Sequence, residues 1–167
     1  MQRTSLTIVA LMLPLALAAQ TVSVQAELAL ARRKGLPEEP ILRRVDATRV
    51  RGASDREIAA AARRARLSME VGVEAMVNGG HQRPTQEEIE RCAAAMEQGY
   101  TRSQVQTVAA SARPERSLAV AFDVLTRLSQ RGLPVSRALD QVTQKLKANE
   151  SDESLMAMLN LGLARRP

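Results

Sequence analysis

Few residues in this chain have side chains suited to catalysis. His81 is the only histidine and Cys92 the only cysteine among 167 residues. A Ser–His–Asp or Cys–His arrangement would have to use His81, which stands in a Gly-Gly-His-Gln turn and is expected to be exposed. Cys92 falls on the apolar stripe of the helix expected to follow, where burial keeps a thiol unreactive. Gly79-Gly80 leads to no Gly-Lys-Ser/Thr, so no phosphate-cradling loop is present. The carboxylate pairs Glu38-Glu39 and Glu87-Glu88 fall in expected first turns, where acidic side chains favour the helix N-terminus. Tyr100 and Phe122 are the only aromatic residues, too few to line a sugar-binding cleft. The expectation is a protein that is not an enzyme, with no catalytic residue and no cofactor.

Two binding chemistries remain. Met69, Met76, Met96, Met156 and Met158, with His81 and Cys92, are soft ligands of the kind that hold Cu(I). Methionine as core filler gives the same helical spacing, so no metal site is expected. Arginine is the second source: the chain carries 24 Lys and Arg against 18 Asp and Glu, for a net charge of +6. Arg43, Arg44, Arg63 and Arg64 are the expected anion-binding residues, off the apolar stripes carried by Ile41, Val45, Ile58 and Ala62. Such groups contact phosphates without reading sequence. With so few aromatics there is no base stacking, and no nucleic-acid partner is expected.

The charge is unevenly spread. Residues 27–66 carry a net +5, residues 67–112 a net −3 and residues 113–167 a net +3. Basic outer segments around an acidic middle can attract anionic surfaces, or one another. Ahead of them, residues 1–26 read as an export signal. Arg3 is followed by an apolar run over Ser5–Ala19, and no charged residue stands between Thr4 and Ala26. Ala16-Leu17-Ala18 and Val24-Gln25-Ala26 are the two cleavage candidates. The run is short for a bilayer span and contains Pro14, so the mature chain is expected to have no transmembrane segment. A periplasmic or secreted location follows, and one cysteine offers no internal disulfide there.

The elements that position these residues are helices. A Gly corner recurs with an aliphatic residue six positions on: Gly35 to Ile41, Gly52 to Ile58, Gly99 to Val105 and Gly132 to Ala138. Asn149 to Leu155 repeats the step with another residue that tolerates a left-handed backbone. Gly-Leu-Pro at Gly35–Pro37 and Gly132–Pro134 pairs a helix stop with a proline that opens the next helix. Capping boxes stand at Ser54/Glu57, Thr85/Glu88 and Thr101/Gln104, and Pro114 marks a further start. Apolar spacing at i, i+3, i+4 and i+7 runs through Ile89, Cys92, Ala93 and Met96, and again through Leu118, Ala121, Phe122 and Leu125. The pattern predicts helices over 25–34, 38–51, 55–78, 86–98, 102–112, 114–131, 135–148 and 152–163, with no strand. The fold class is therefore all-α, a single domain over 27–167 of repeated helix–turn–helix units, as a bundle or short solenoid.

The basic-Gly-Leu-Pro corner followed by a short helix and a second Gly corner resembles a pattern in exported bacterial helical-repeat proteins. The likeness is clearest over residues 31–65 and 127–160. It implies an exported helical repeat and carries over no activity, cofactor or catalytic residue. The function expected from these features is an adaptor of the cell envelope that binds a protein or serves as structure. Its runner-up is an electrostatic binder of an anionic envelope polymer or lipid headgroup, and soft-metal binding is a distant third.

Overall fold

The computed structural model describes residues 23–161 of the chain. Eight helices occupy them, and no strand occurs among the described residues. They are α1 (Val24–Arg33), α2 (Glu39–Arg49), α3 (Asp55–Asn78), α4 (Gln86–Glu97), α5 (Arg102–Ser111), α6 (Ala119–Gln130), α7 (Val135–Lys147) and α8 (Asp152–Leu161). Among the described residues no helix is long and apolar enough to cross a membrane. The expected export signal lies outside the described residues, except for Ser23–Ala26, which cap and open α1.

The corners form as the residue pattern requires. Gly35, Gly52, Gly80, Gly99, Gly132 and Asn149 all have positive φ, from 52° at Asn149 to 98° at Gly80 and Gly99. At most of them the next amide reaches back to the last turn, as Leu36 does to the Ala31 carbonyl and Leu133 to the Leu128 carbonyl. These paired bonds satisfy carbonyls that the helix end would otherwise leave open. Gly79 and Gly80 divide the work at one corner. Gly80 supplies the left-handed turn, while a Cβ on Gly79 would stand 2.5 Å from Ala109 Cβ, so Gly79 lets α3 meet α5 closely. All three capping boxes are present, with Glu57, Glu88 and Gln104 each accepting the N-cap amide.

Helices two apart in the chain are the main neighbours. On one side α1 packs on α3, α3 on α5 and α5 on α7; on the other α4 packs on α6 and α6 on α8. Arg43 and Arg44 of α2 reach Glu90 and Glu97 of α4, which extends the second row to α2. The rows are joined by α2 and α4 against α3, and by α6 against α7. Consecutive helices pack on each other across some corners, as α2 does on α3 at Gly52 and α6 on α7 at Gly132, and touch little across others, as between α1 and α2. The aliphatic residues six positions past the corners fill the space between: Ile41, Ile58, Val105, Ala138 and Leu155 are all buried, as is Ile89, nine positions past Gly80. Both aromatics are buried as well, Phe122 in the first turn of α6 and Tyr100 with its hydroxyl on the Leu125 carbonyl and Ser129 Oγ.

Three expectations need correction. Pro37 does not open α2; it is buried in the corner, and Pro40 takes the first-turn position. Pro114 does not open α6, which begins only at Ala119. The Leu118 amide is held instead by the Glu88 carboxylate, so residues 113–118 stay non-helical and cross to α4. His81 is not exposed: its amide bonds the Met76 carbonyl at the corner, and that turn carries the ring inward to 7% exposure.

Candidate anion-binding site

The acidic middle segment is largely paired within the protein. Five of its six carboxylates lie beside an arginine or lysine, Glu70 with Lys34 and Arg66, Glu74 with Arg102, Glu87 with Arg91, Glu90 with Arg43 and Glu97 with Arg44, and the sixth, Glu88, lies beside the imidazole of His81. Much of this pairing joins the basic first segment to the acidic second, so the uneven charge of the sequence is in part a set of contacts between helices.

The expected anion-binding residues therefore separate into two pairs. Arg44 stands 2.5 Å from Glu97, and Arg43 stands 3.8 Å from Glu90 and 3.9 Å from Glu39. Arg63 and Arg64, on the outer face of α3, are exposed and take part in no ion pair among the described residues. Arg66, from the same run, turns inward. It bonds Glu27 of α1 at 2.5 Å and also Glu70, with both Arg66 and Glu27 buried. Burial works against its charge, yet the two carboxylates outweigh it and hold the guanidinium above its ordinary pKa. The corner residues Gly35, Pro37, Gly52, Gly99, Gly132 and Pro134 all lie in loops between helices or at a helix start, where their role is to turn the chain.

A second group of arginines converges where nothing in the composition marks it. Between α4 and α6 an open cleft of about 470 Å³ is lined by Arg91, Ala94, Asp123, Thr126, Arg127, Gln130 and Arg131. Asp123 bridges the two helices: it lies 3.1 Å from Arg91 of α4 and 2.7 Å from Arg127 of α6. Arg131, just past α6, donates to the Leu159 carbonyl of α8. Two guanidiniums thus share one carboxylate, and a third, that of Arg131, lines the same cleft. Arg91 and Arg127 keep about half their side-chain surface open, 46% and 49%, while Asp123 keeps 16%. Planar guanidiniums held in this way can take carboxylate or phosphate oxygens in pairs. The spacing Asp123, Arg127, Arg131 at i, i+4 and i+8 on one helix face was the only signal in the sequence. The partner arginine comes from α4, 32 residues away from Asp123.

The remaining reactive groups are held apart from this cleft. Glu88 is 1% exposed; one of its oxygens accepts the Thr85 amide at 2.7 Å and the other the Leu118 amide at 2.7 Å. His81 Nε2 lies 3.0 Å from the latter oxygen, without the alignment of a hydrogen bond. Burial works to raise the Glu88 carboxyl, but the amides of Thr85 and Leu118, with Thr85 and His81, outweigh it and hold its pKa below the ordinary value. Cys92 is fully buried, and burial pushes its thiol up to about 12. Its sulfur and that of Met96 both lie against Gly72, where a Cβ would come within 2.9 Å and 3.6 Å of them. Met69 and Met76 are in the core, Met156 is on the surface, and no group of three or more His, Cys, Asp or Glu could share a metal ion among the described residues. Compared with known proteins, the chain matches no family model, no curated protein and no solved structure.

Proposed function

We propose that the chain is an exported adaptor of the cell envelope that acts by binding and not by catalysis, and that it docks on the anionic face of a partner protein. The observation that carries this reading is the balance of charge at the surface. Five of the six carboxylates of the middle segment lie beside an arginine or lysine, and the α4–α6 cleft is lined by Arg91, Arg127 and Arg131 with Asp123 as its one acidic lining residue, Arg91 being shared with Glu87 at 4.0 Å. Arg63 and Arg64 add an unmatched basic strip on α3. Only four large apolar side chains are exposed among the described residues, Leu42, Val50, Leu67 and Met156, so an apolar docking face is the weaker reading. Guanidinium arrays on a rigid helical scaffold suit steering and orientation of an acidic partner.

Crosslinking of the tagged protein in its own envelope tests this. A discrete protein partner with an acidic face should be recovered, and recovery should fall when Arg91 and Arg127 are replaced by Gln. Recovery of anionic lipid in place of protein would shift the reading to headgroup binding. Equal recovery by the variant would remove the cleft from it.

A further inference from the structure

We propose that the outer face of α3 is a second docking surface, and that it fits a membrane surface of anionic lipid headgroups. The cleft between α4 and α6 is left to the protein partner. With 3.6 residues per turn, Arg56, Ala60, Arg63, Arg64, Leu67 and Val71 fall within an arc of about 100° on α3. The three arginines are exposed, Leu67 keeps 40% of its surface open, and Ala60 and Val71 are half-buried. The corner that leads into α3 carries Val50, 87% exposed, with the exposed Arg51 beside it.

The cations of this strip have no partner on the protein. Arg56, Arg63 and Arg64 take part in no ion pair among the described residues. No carboxylate occurs from Ile58 to Met69. The acidic residues to either side are engaged: Glu57 caps the helix through Ser54, Glu70 holds Lys34 and Arg66, and Glu74 holds Arg102. Asp55 stands in the first turn, where an acidic side chain favours the helix N-terminus.

The bracing of the arginines separates a lipid surface from an acidic protein. In the cleft Asp123 holds Arg91 and Arg127, so their donors point to fixed places, as the fixed carboxylates of a protein require. On α3 no carboxylate holds the arginines, and an open leucine lies among them on a helix face that lines no cleft. Long basic stems that bend around apolar neighbours suit headgroups, which shift laterally to meet them. Leu67 and Val50 then supply apolar tips for the acyl boundary, as on helices that lie in a membrane interface.

The test is co-sedimentation of the protein, recovered from its own envelope, with vesicles of phosphatidylcholine with and without phosphatidylglycerol. Three variants accompany the wild type: Arg56→Gln with Arg63→Gln and Arg64→Gln, Val50→Asn with Leu67→Asn, and Arg91→Gln with Arg127→Gln. Every changed side chain is exposed or half-open, so helicity should be the same in all four. The wild type should bind the anionic vesicles and not the neutral ones. Loss of the three strip arginines should weaken binding about a hundredfold at low salt, at about fivefold for each. Loss of the two apolar tips should weaken it about tenfold, and that deficit should persist as salt rises. The cleft variant should bind as the wild type does. Equal binding to neutral vesicles, no binding, or binding unchanged in the strip variant overturns the inference. So does a loss seen with the arginines and not with the apolar tips, which points to an acidic protein or a soluble polyanion. A loss confined to the cleft variant places the lipid there and overturns it as well. Crosslinking of a protein partner at the cleft is read separately, so either conclusion can fail alone.

Discussion

Glu88 and the amide of Leu118 are joined at 2.7 Å across 30 residues of chain. This one bond fixes the α5–α6 connection to the start of α4, because the same carboxylate also caps α4 through Thr85. Its pKa lies below the ordinary 4.5. The stabilisation it supplies is therefore complete above the unfolded value and is lost as pH falls through the lower folded value. Thermal unfolding followed below pH 4.5 should show a loss of stability in the wild type that Glu88→Gln lacks. At neutral pH Glu88→Ala should cost about 2–4 kcal/mol, since the buried Leu118 amide loses its acceptor and α4 loses half of its capping box.

Arg66 makes a parallel link between α3 and α1. Arg66→Ala leaves the Glu27 carboxylate buried without its partner and should cost about 3–5 kcal/mol in denaturant unfolding. Arg66→Met combined with Glu27→Gln removes both charges and should recover most of that loss. If the double variant were as unstable as Arg66→Ala, the cost would lie in lost packing and not in an unmatched charge.

The two glycines at the end of α3 should respond differently to substitution. Gly79→Ala forces a Cβ to within 2.7 Å of the Gln106 carbonyl oxygen, a backbone atom on α5 that cannot move alone. Overpacking of this kind costs about 1–3 kcal/mol. Gly80 has open space around it but φ of +98°, so Gly80→Ala meets no neighbour and should cost about 1–2 kcal/mol through backbone strain. The close approach of α3 to α5 predicts that a smaller residue at Ala109, Ala109→Gly, partly relieves Gly79→Ala and does nothing for Gly80→Ala.

Cys92 should react with a thiol reagent only when the protein opens. With the thiol pushed up to about 12 and no exposed surface, native labelling at neutral pH should follow the unfolding equilibrium. Fast stoichiometric labelling of the native protein would contradict the burial described here.

The helices and corners were legible in the sequence because each is set by local chemistry. A left-handed turn needs Gly or Asn, a first turn needs a cap, and a buried face needs apolar spacing. The ion pairs were legible only as a trend, the attraction of basic outer segments to an acidic middle. Their partners depend on which helices become neighbours. His81 was misjudged although a signal existed. It stands one past a left-handed glycine, as do Leu36 and Tyr100, and that position turns back on the helix it follows. Leu36, His81 and Tyr100 are accordingly all buried. The start of α6 was misplaced because Pro114 permits a helix start, while the Glu88 carboxylate that holds Leu118 comes from a different helix. The α4–α6 cleft needs Arg91 and Asp123 to meet, a tertiary contact that no spacing along the chain encodes.

Asp123 offers the most direct test of the anion-binding reading, because it competes for the same guanidiniums. Asp123→Asn frees Arg91 and Arg127 from their carboxylate and should strengthen association with the native envelope fraction, measured by sedimentation, about tenfold at low salt. Association of the wild type should fall steeply as salt rises to physiological strength, where exposed charges are screened over about 8 Å. Arg91→Gln with Arg127→Gln should weaken it at every salt concentration without loss of helicity. Association that is indifferent to salt, and equal in wild type, Asp123→Asn and the double arginine variant, would contradict the account.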